Sequence, residues 1–113
     1  MRLAKLPTNE TKRLAALCAL DVLDSGPEAK LDALVRVASI VCGTPISLIS
    51  LVDAERQWFK VNIGLPGATE TPRNIAFCAH AIRGDNIFKV PDATKDDRFA
   101  DNPLVVDNPT IRF

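Results

Sequence analysis

Ile46-Ser47-Leu48-Ile49-Ser50-Leu51-Val52 is the stretch on which the fold turns. It is short, rich in branched aliphatics and apolar in both alternating phases. That is the pattern of a strand covered on both faces, hence a central one. Asp53-Ala54-Glu55-Arg56 follows as a polar turn. Gln57 to Ile63 reads as a second strand, with Phe59 and Val61 on one face and Trp58 and Lys60 on the other. The two together predict an antiparallel hairpin.

Upstream, the periodicity changes from two to between three and four. Residues 8–23 predict an amphipathic helix, with Leu14, Leu17, Cys18 and Leu20 on one side. Thr8 or Asn9 is placed to cap its first turn, and Glu10 suits the positive end of its dipole. Ser25-Gly26-Pro27 breaks the chain. A second helix is expected over 28–42, where Leu31, Leu34, Val35, Ala38, Val41 and Cys42 form a continuous apolar stripe. Gly43 stands where a left-handed cap is needed, and Pro45 prevents continuation.

Downstream, two Gly and two Pro make residues 64–73 a loop. Helix resumes near Asn74 and runs through Ile82 to a stop at Gly84. Ile87 to Val90 predicts a short strand ended by Pro91. Residues 92–109 are acidic and turn-rich, with room for one helical turn, and Thr110-Ile111-Arg112-Phe113 begins another strand.

The whole chain has 113 residues, 47% of them hydrophobic, which suits one globular domain rather than a disordered segment. Fourteen basic residues balance fourteen acidic ones with both signs interspersed, the opposite of a nucleic-acid surface. No apolar run approaches the ~20 residues of a membrane span, and Met1 to Pro7 lack the hydrophobic segment of a secretory signal. Three widely spaced cysteines do not form a disulfide framework. A cytoplasmic protein with reduced thiols is expected, and the Asn9-Glu10-Thr11 glycosylation triplet is discounted on that ground.

Seven blocks, taken in order, resemble bacterial GAF sensor domains. They are Glu10-Thr11-Lys12-Arg13-Leu14-Ala15-Ala16-Leu17, Leu20-Asp21-Val22-Leu23-Asp24, Ser47-Leu48-Ile49-Ser50-Leu51-Val52-Asp53, Arg56-Gln57-Trp58-Phe59-Lys60, Phe77-Cys78-Ala79-His80-Ala81-Ile82, Val90-Pro91-Asp92-Ala93-Thr94, and Asp97-Arg98-Phe99-Ala100-Asp101-Asn102-Pro103-Leu104-Val105. The resemblance implies an α+β fold: an antiparallel sheet with the N-terminal helices on one side and a pocket-forming helix and loops on the other. It also implies a homodimer through the N-terminal helices and a small-molecule ligand. Such domains sit upstream of histidine kinase, diguanylate cyclase or phosphodiesterase modules, in two-component and related signalling. In that family two more strands follow the equivalent of Ile111-Arg112-Phe113, one of them beside the central strand. The chain is therefore expected to be a single GAF-like domain, 1–113, lacking the last strands: a fragment, a clipped chain, or a sheet completed by another molecule.

Cys78 and His80 are the tempting catalytic pair. At i and i+2 on a helix they point about 200° apart, so they serve neither as nucleophile and base nor as joint metal ligands. The GAF relatives that anchor a bilin usually place Cys directly before His, and Ala79 intervenes here. Cys78 is read as a small buried hydrophobe in preference to a reactive thiol. Trp58 and Phe59 fill opposite sheet faces. The Asp92, Thr94, Asp96 spacing fails as a calcium loop, because Asp97 replaces the turn glycine and Pro103 the bidentate Glu. Asp92 or Asp97 is instead expected to pair with Arg98.

No phosphate-binding glycine loop or nucleophile elbow is present, and the cyclic-nucleotide motif of phosphodiesterase-type relatives is missing. The expectation is a regulatory sensor without catalytic activity, cofactor or metal. Its ligand pocket would be formed by Trp58, Phe77, Cys78, His80, Arg98 and Phe99. The alternatives are a thiol-based methionine sulfoxide reductase of the same fold and a dimerisation module with no ligand.

Overall fold

The computed structural model describes residues 1–112. The fold is α+β. Helices α1 (Glu10–Leu20) and α2 (Ala29–Cys42) precede strands β1 (Ser47–Val52), β2 (Arg56–Ile63) and β3 (Glu70–Pro72), which form one antiparallel sheet in the order β1-β2-β3. Two further single-turn helices follow, α3 (Cys78–Ala81) and α4 (Pro103–Val106), with 3-10 turns at Arg73–Ile75 and Ala93–Lys95.

The central strand is β2, and β1 lies at the sheet edge. The expectation for β1 is corrected for a simple reason. Among the described residues only one of its long edges is paired, so five of its six residues stay half-buried. Its apolar sequence lacks the charges and prolines that protect natural edges.

A bulge reorganises β2. Ile49 faces Val61 and Ser50 faces Phe59, which leaves Lys60 as the extra residue. Phe59 and Val61 therefore fall on opposite faces, because their partners Ser50 and Ile49 do. The bulge aims Lys60 at the link between α1 and α2, where its ammonium donates to Ser25 Oγ (2.7 Å) and the Gly26 carbonyl and pairs with Glu28 (2.9 Å). The Lys60 side chain is buried, whereas Glu28 is 59% exposed. Lys60→Met is therefore expected to change stability by less than about 1 kcal/mol, since no buried partner is orphaned. The urea midpoint checks it; a loss above ~2 kcal/mol would mean that the bulge depends on the charge.

Gly64 closes the hairpin against the start of β1. Its φ is +96°, and a Cβ there would stand 2.0 Å from the Pro45 carbonyl oxygen, so only glycine fits.

The two helices form where the periodicity places them, but their ends and faces differ. Neither Thr8 nor Asn9 caps α1 with its side chain, and the Glu10 carboxylate is drawn into an arginine clasp. Asp21 ends α1 and Gly43 ends α2 in left-handed conformations. In α2 only Val35 is buried. Leu34, Val37, Ile40 and Val41 are each more than half exposed, so the expected stripe is not the buried one. α2 is apolar around most of its girth, a composition suited to a helix covered on two sides.

Beyond Pro91 the chain holds more helix than expected, and less strand. Residues 87–90 pair with no strand, and Thr110 turns the chain with φ 61° instead of extending it. Phe113, the end of that expected strand, lies outside the described residues. α4 forms because Asn102 caps it, its side chain accepting from Leu104 N–H at 2.9 Å, with Pro103 at the first helical position.

Candidate functional site

Phe77, His80, Arg98 and Phe99 meet in one cluster. The segment that carries the first two breaks in the middle. The 3-10 turn at Arg73–Ile75 is followed by Ala76 in extended conformation, and only then by the single turn of α3. The expected continuous helix from Asn74 to Ile82 is thus two short pieces. Asn102 fixes the break: fully buried, it donates to the Ile75 carbonyl at 2.9 Å.

Around this break the aromatic rings close up. Phe77 and Phe99 stack at 4.0 Å with their planes 9° apart, and His80 meets Phe99 edge-on at 4.9 Å. Phe88 stands 6.1 Å from Phe99. The Arg98 guanidinium lies 5.0 Å from the Phe88 centroid and 5.2 Å from that of Phe99, both within cation–π range. Its partner is Asp96, held through two bonds of 2.9 and 2.7 Å, and not Asp92 or Asp97. Asp92 is occupied as the cap of the second 3-10 turn, accepting from Thr94 N–H and Oγ1.

The electrostatics follow from these contacts. The Arg98 fork holds the Asp96 carboxyl down at about 2. Burial, and then the Arg98 charge, push His80 below its ordinary value. Near pH 7 the ring is therefore neutral: one nitrogen donates and the other accepts.

The other two expected pocket residues stand apart. Trp58 is buried within β2 on the face opposite Phe59. Cys78 is half-buried rather than fully so, with its Sγ 3.5 Å from Ser50 Oγ. It opens on a groove of about 460 Å³ beside the edge of β1, walled by Leu17, Leu20, Leu51 and Ile82. It begins a helix of four residues.

Two residues that pattern reasoning passes over are Gln57 and Thr71. They are direct partners across β2 and β3, and Gln57 Oε1 and Thr71 Oγ1 are buried without a hydrogen-bond partner. An orphaned carbonyl and hydroxyl side by side can accept from and donate to a polar group. Only the three-dimensional pairing reveals them. No group of three or more His, Cys, Asp or Glu stands together to hold a metal ion among the described residues. No helix among them is long and apolar enough to cross a membrane.

No protein-family profile matches the chain. It is 44% identical over 107 residues, 95% of its length, to part of a Pseudomonas aeruginosa protein named as a cyclic di-GMP phosphodiesterase. The chain spans 18% of that relative's length. This finding corrects one expectation. The protein was expected not to be an enzyme, and the relative it matches carries an enzyme's name.

Proposed function

We propose that the chain is the GAF-type sensory segment of a bacterial signalling protein that breaks down cyclic di-GMP. The carrying observation is the 44% identity, across nearly the whole chain, to a small part of a cyclic di-GMP phosphodiesterase. A phosphodiesterase module, rather than a histidine kinase or diguanylate cyclase, is then the attached output. The sensory role is supported by the α+β architecture and by the cluster of aromatic and cationic side chains that Phe77, His80, Phe88, Arg98 and Phe99 form. A small molecule bound among Phe77, His80, Arg98 and Phe99, with Gln57 and Thr71 on the same sheet face, shifts the balance between two packings of the N-terminal helices. The complete polypeptide tests this through hydrolysis of cyclic di-GMP. Turnover that changes severalfold in an Arg98→Ala variant supports the reading. A polypeptide that does not hydrolyse cyclic di-GMP, or an Arg98→Ala variant with unaltered turnover, rejects it.

The homodimer belongs to the same proposal, with α2 as its contact. Ile40 is 73% exposed, beside Val37 and Val41 on the same apolar helix. Ile40→Lys is expected to weaken association at least about tenfold, because it buries an unpaired charge at the contact. It leaves the monomer's fold unchanged. Sedimentation of both proteins over a concentration series decides; equal association constants would move the contact elsewhere.

A further inference from the structure

Segments distant in sequence meet at one carboxylate. Glu10, the first residue of α1, accepts from Arg13 Nε and Nη2 at 3.1 and 2.8 Å, and from Arg73 Nη1 and Nη2 at 2.5 and 3.2 Å. Both carboxylate oxygens are thus used twice, by two guanidinium forks. Arg13 also donates to the Val52 carbonyl at the end of β1, and Arg73 to the Asp53 carbonyl at 3.0 Å in the hairpin turn. The side chains of Glu10 and Arg73 are only 14% and 10% exposed. Arg73 opens the 3-10 turn that leads into Phe77 and α3.

The same N-terminal segment is tied a second time. The Arg2 N–H donates to the Arg98 carbonyl at 3.2 Å, and the residue after Arg98, Phe99, meets the His80 ring edge-on at 4.9 Å. Between the two ties, Leu3, Ala4 and Leu6 arch over a cavity of about 400 Å³ floored by Ala54, Pro72 and Ala79. Leu3 and Leu6 are 57% and 63% exposed, whereas Ala4 and Pro7 are half-buried.

A short segment tied at both ends, with Ala4 and Pro7 half-buried between the ties, has little slack and carries displacement from one anchor to the other. We propose that residues 2–10, closed by the Glu10–Arg73 clasp, are a strap that transmits a shift of the His80–Arg98 cluster to α1. The strap rests on the sensory reading for its purpose but not for its test, in which cyclic di-GMP plays no part. Failure of one is thus read separately from failure of the other.

The arginine fork matters because lysine keeps the charge but cannot hold two carboxylate oxygens and a carbonyl in one plane. Arg73 and Glu10 act as positioning residues, so the test reads transmission rather than stability. Amide hydrogen exchange is measured in the wild type, His80→Ala, Arg73→Lys and the double variant, at one pH and temperature. His80→Ala is expected to speed exchange in residues 13–20 about tenfold while the β1–β2 ladder keeps its rates. In the Arg73→Lys background the same change is expected to be less than about twofold. Equal acceleration in both backgrounds, or none in the first, overturns the proposal. Should Arg73→Lys not fold, Arg2→Pro combined with Asp101→Asn removes the opposite anchor, both the N–H that reaches Arg98 and the carboxylate that pairs with the Met1 ammonium. It must abolish the transmission in the same way.

Discussion

Phe99→Ala is expected to destabilise the protein by about 4 kcal/mol, within the range for removing a buried phenyl ring. Phe99 is 1% exposed and is the ring that Phe77, His80, Phe88 and Arg98 all touch. It also packs with Val90, Ala93 and Val105, so it joins the irregular C-terminal third of the chain to α3. Beyond α3 that segment has one 3-10 turn, the single turn of α4 and no strand pairing among the described residues; turn bonds order it locally, and the packing of Phe99 joins it to α3. A loss near 4 kcal/mol is a large share of the ~5–15 kcal/mol that holds a typical domain together. Phe99→Leu, keeping most of the apolar area, is expected to lose less than half as much. Urea unfolding measures both. A second reading is independent of stability: burial is the leading cause of the low His80 value, so opening the cluster raises it towards its ordinary 6.5. A loss below about 1 kcal/mol with an unmoved His80 titration would mean that the cluster is not a cohesive unit.

The sequence disclosed what local periodicity controls. α1, α2 and the β1–β2 hairpin form where the spacing of Leu17, Val35 and the Ile46–Val52 run places them. It misled where a third element decides. The Ile46–Val52 run is apolar in both phases, which marks a strand that two layers would cover, yet whether a neighbour pairs with its edge is a tertiary fact. A one-residue bulge at Lys60 reverses the face of every following side chain, and no composition rule marks it. In the candidate site, Phe77, His80, Arg98 and Phe99 do come together, although Arg98 and Phe99 stand 18 or more positions beyond Phe77 and His80 in sequence. What spacing concealed was the partner of Arg98. Asp92, Asp96 and Asp97 are chemically equal in sequence, and turn geometry selects Asp96, whose carboxylate reaches both the Arg98 backbone N–H and its side chain.

The acid sensitivity of the fold provides the second large effect. Glu10 is held from an ordinary value of 4.5 down to about 2, first by the Arg73 hydrogen bond and then by that of Arg13. A carboxyl lowered in the folded state contributes stability that is complete above its unfolded value and is lost as pH falls through the folded one. Glu10→Gln keeps the shape and removes the charge, leaving the Arg13 and Arg73 guanidiniums facing each other without a counter-ion. The expected cost at pH 7 is about 3 kcal/mol, at the low end for breaking a buried pair. The wild-type advantage over Glu10→Gln should be constant above about pH 5 and shrink steadily towards pH 2. Asp96, also held at about 2 by Arg98, titrates in the same window but is present in both proteins, so it cancels from the difference. His80 cancels likewise. Its lowered value makes both proteins less stable as pH falls through and below 6.5, where the unfolded state takes up the proton first. Unfolding free energies from urea titrations at five or six pH values give the two curves. A gap that stays constant down to pH 2 would show that the clasp is held by shape and not by charge. α1 would then owe its position to the packing of Leu17 rather than to the arginines.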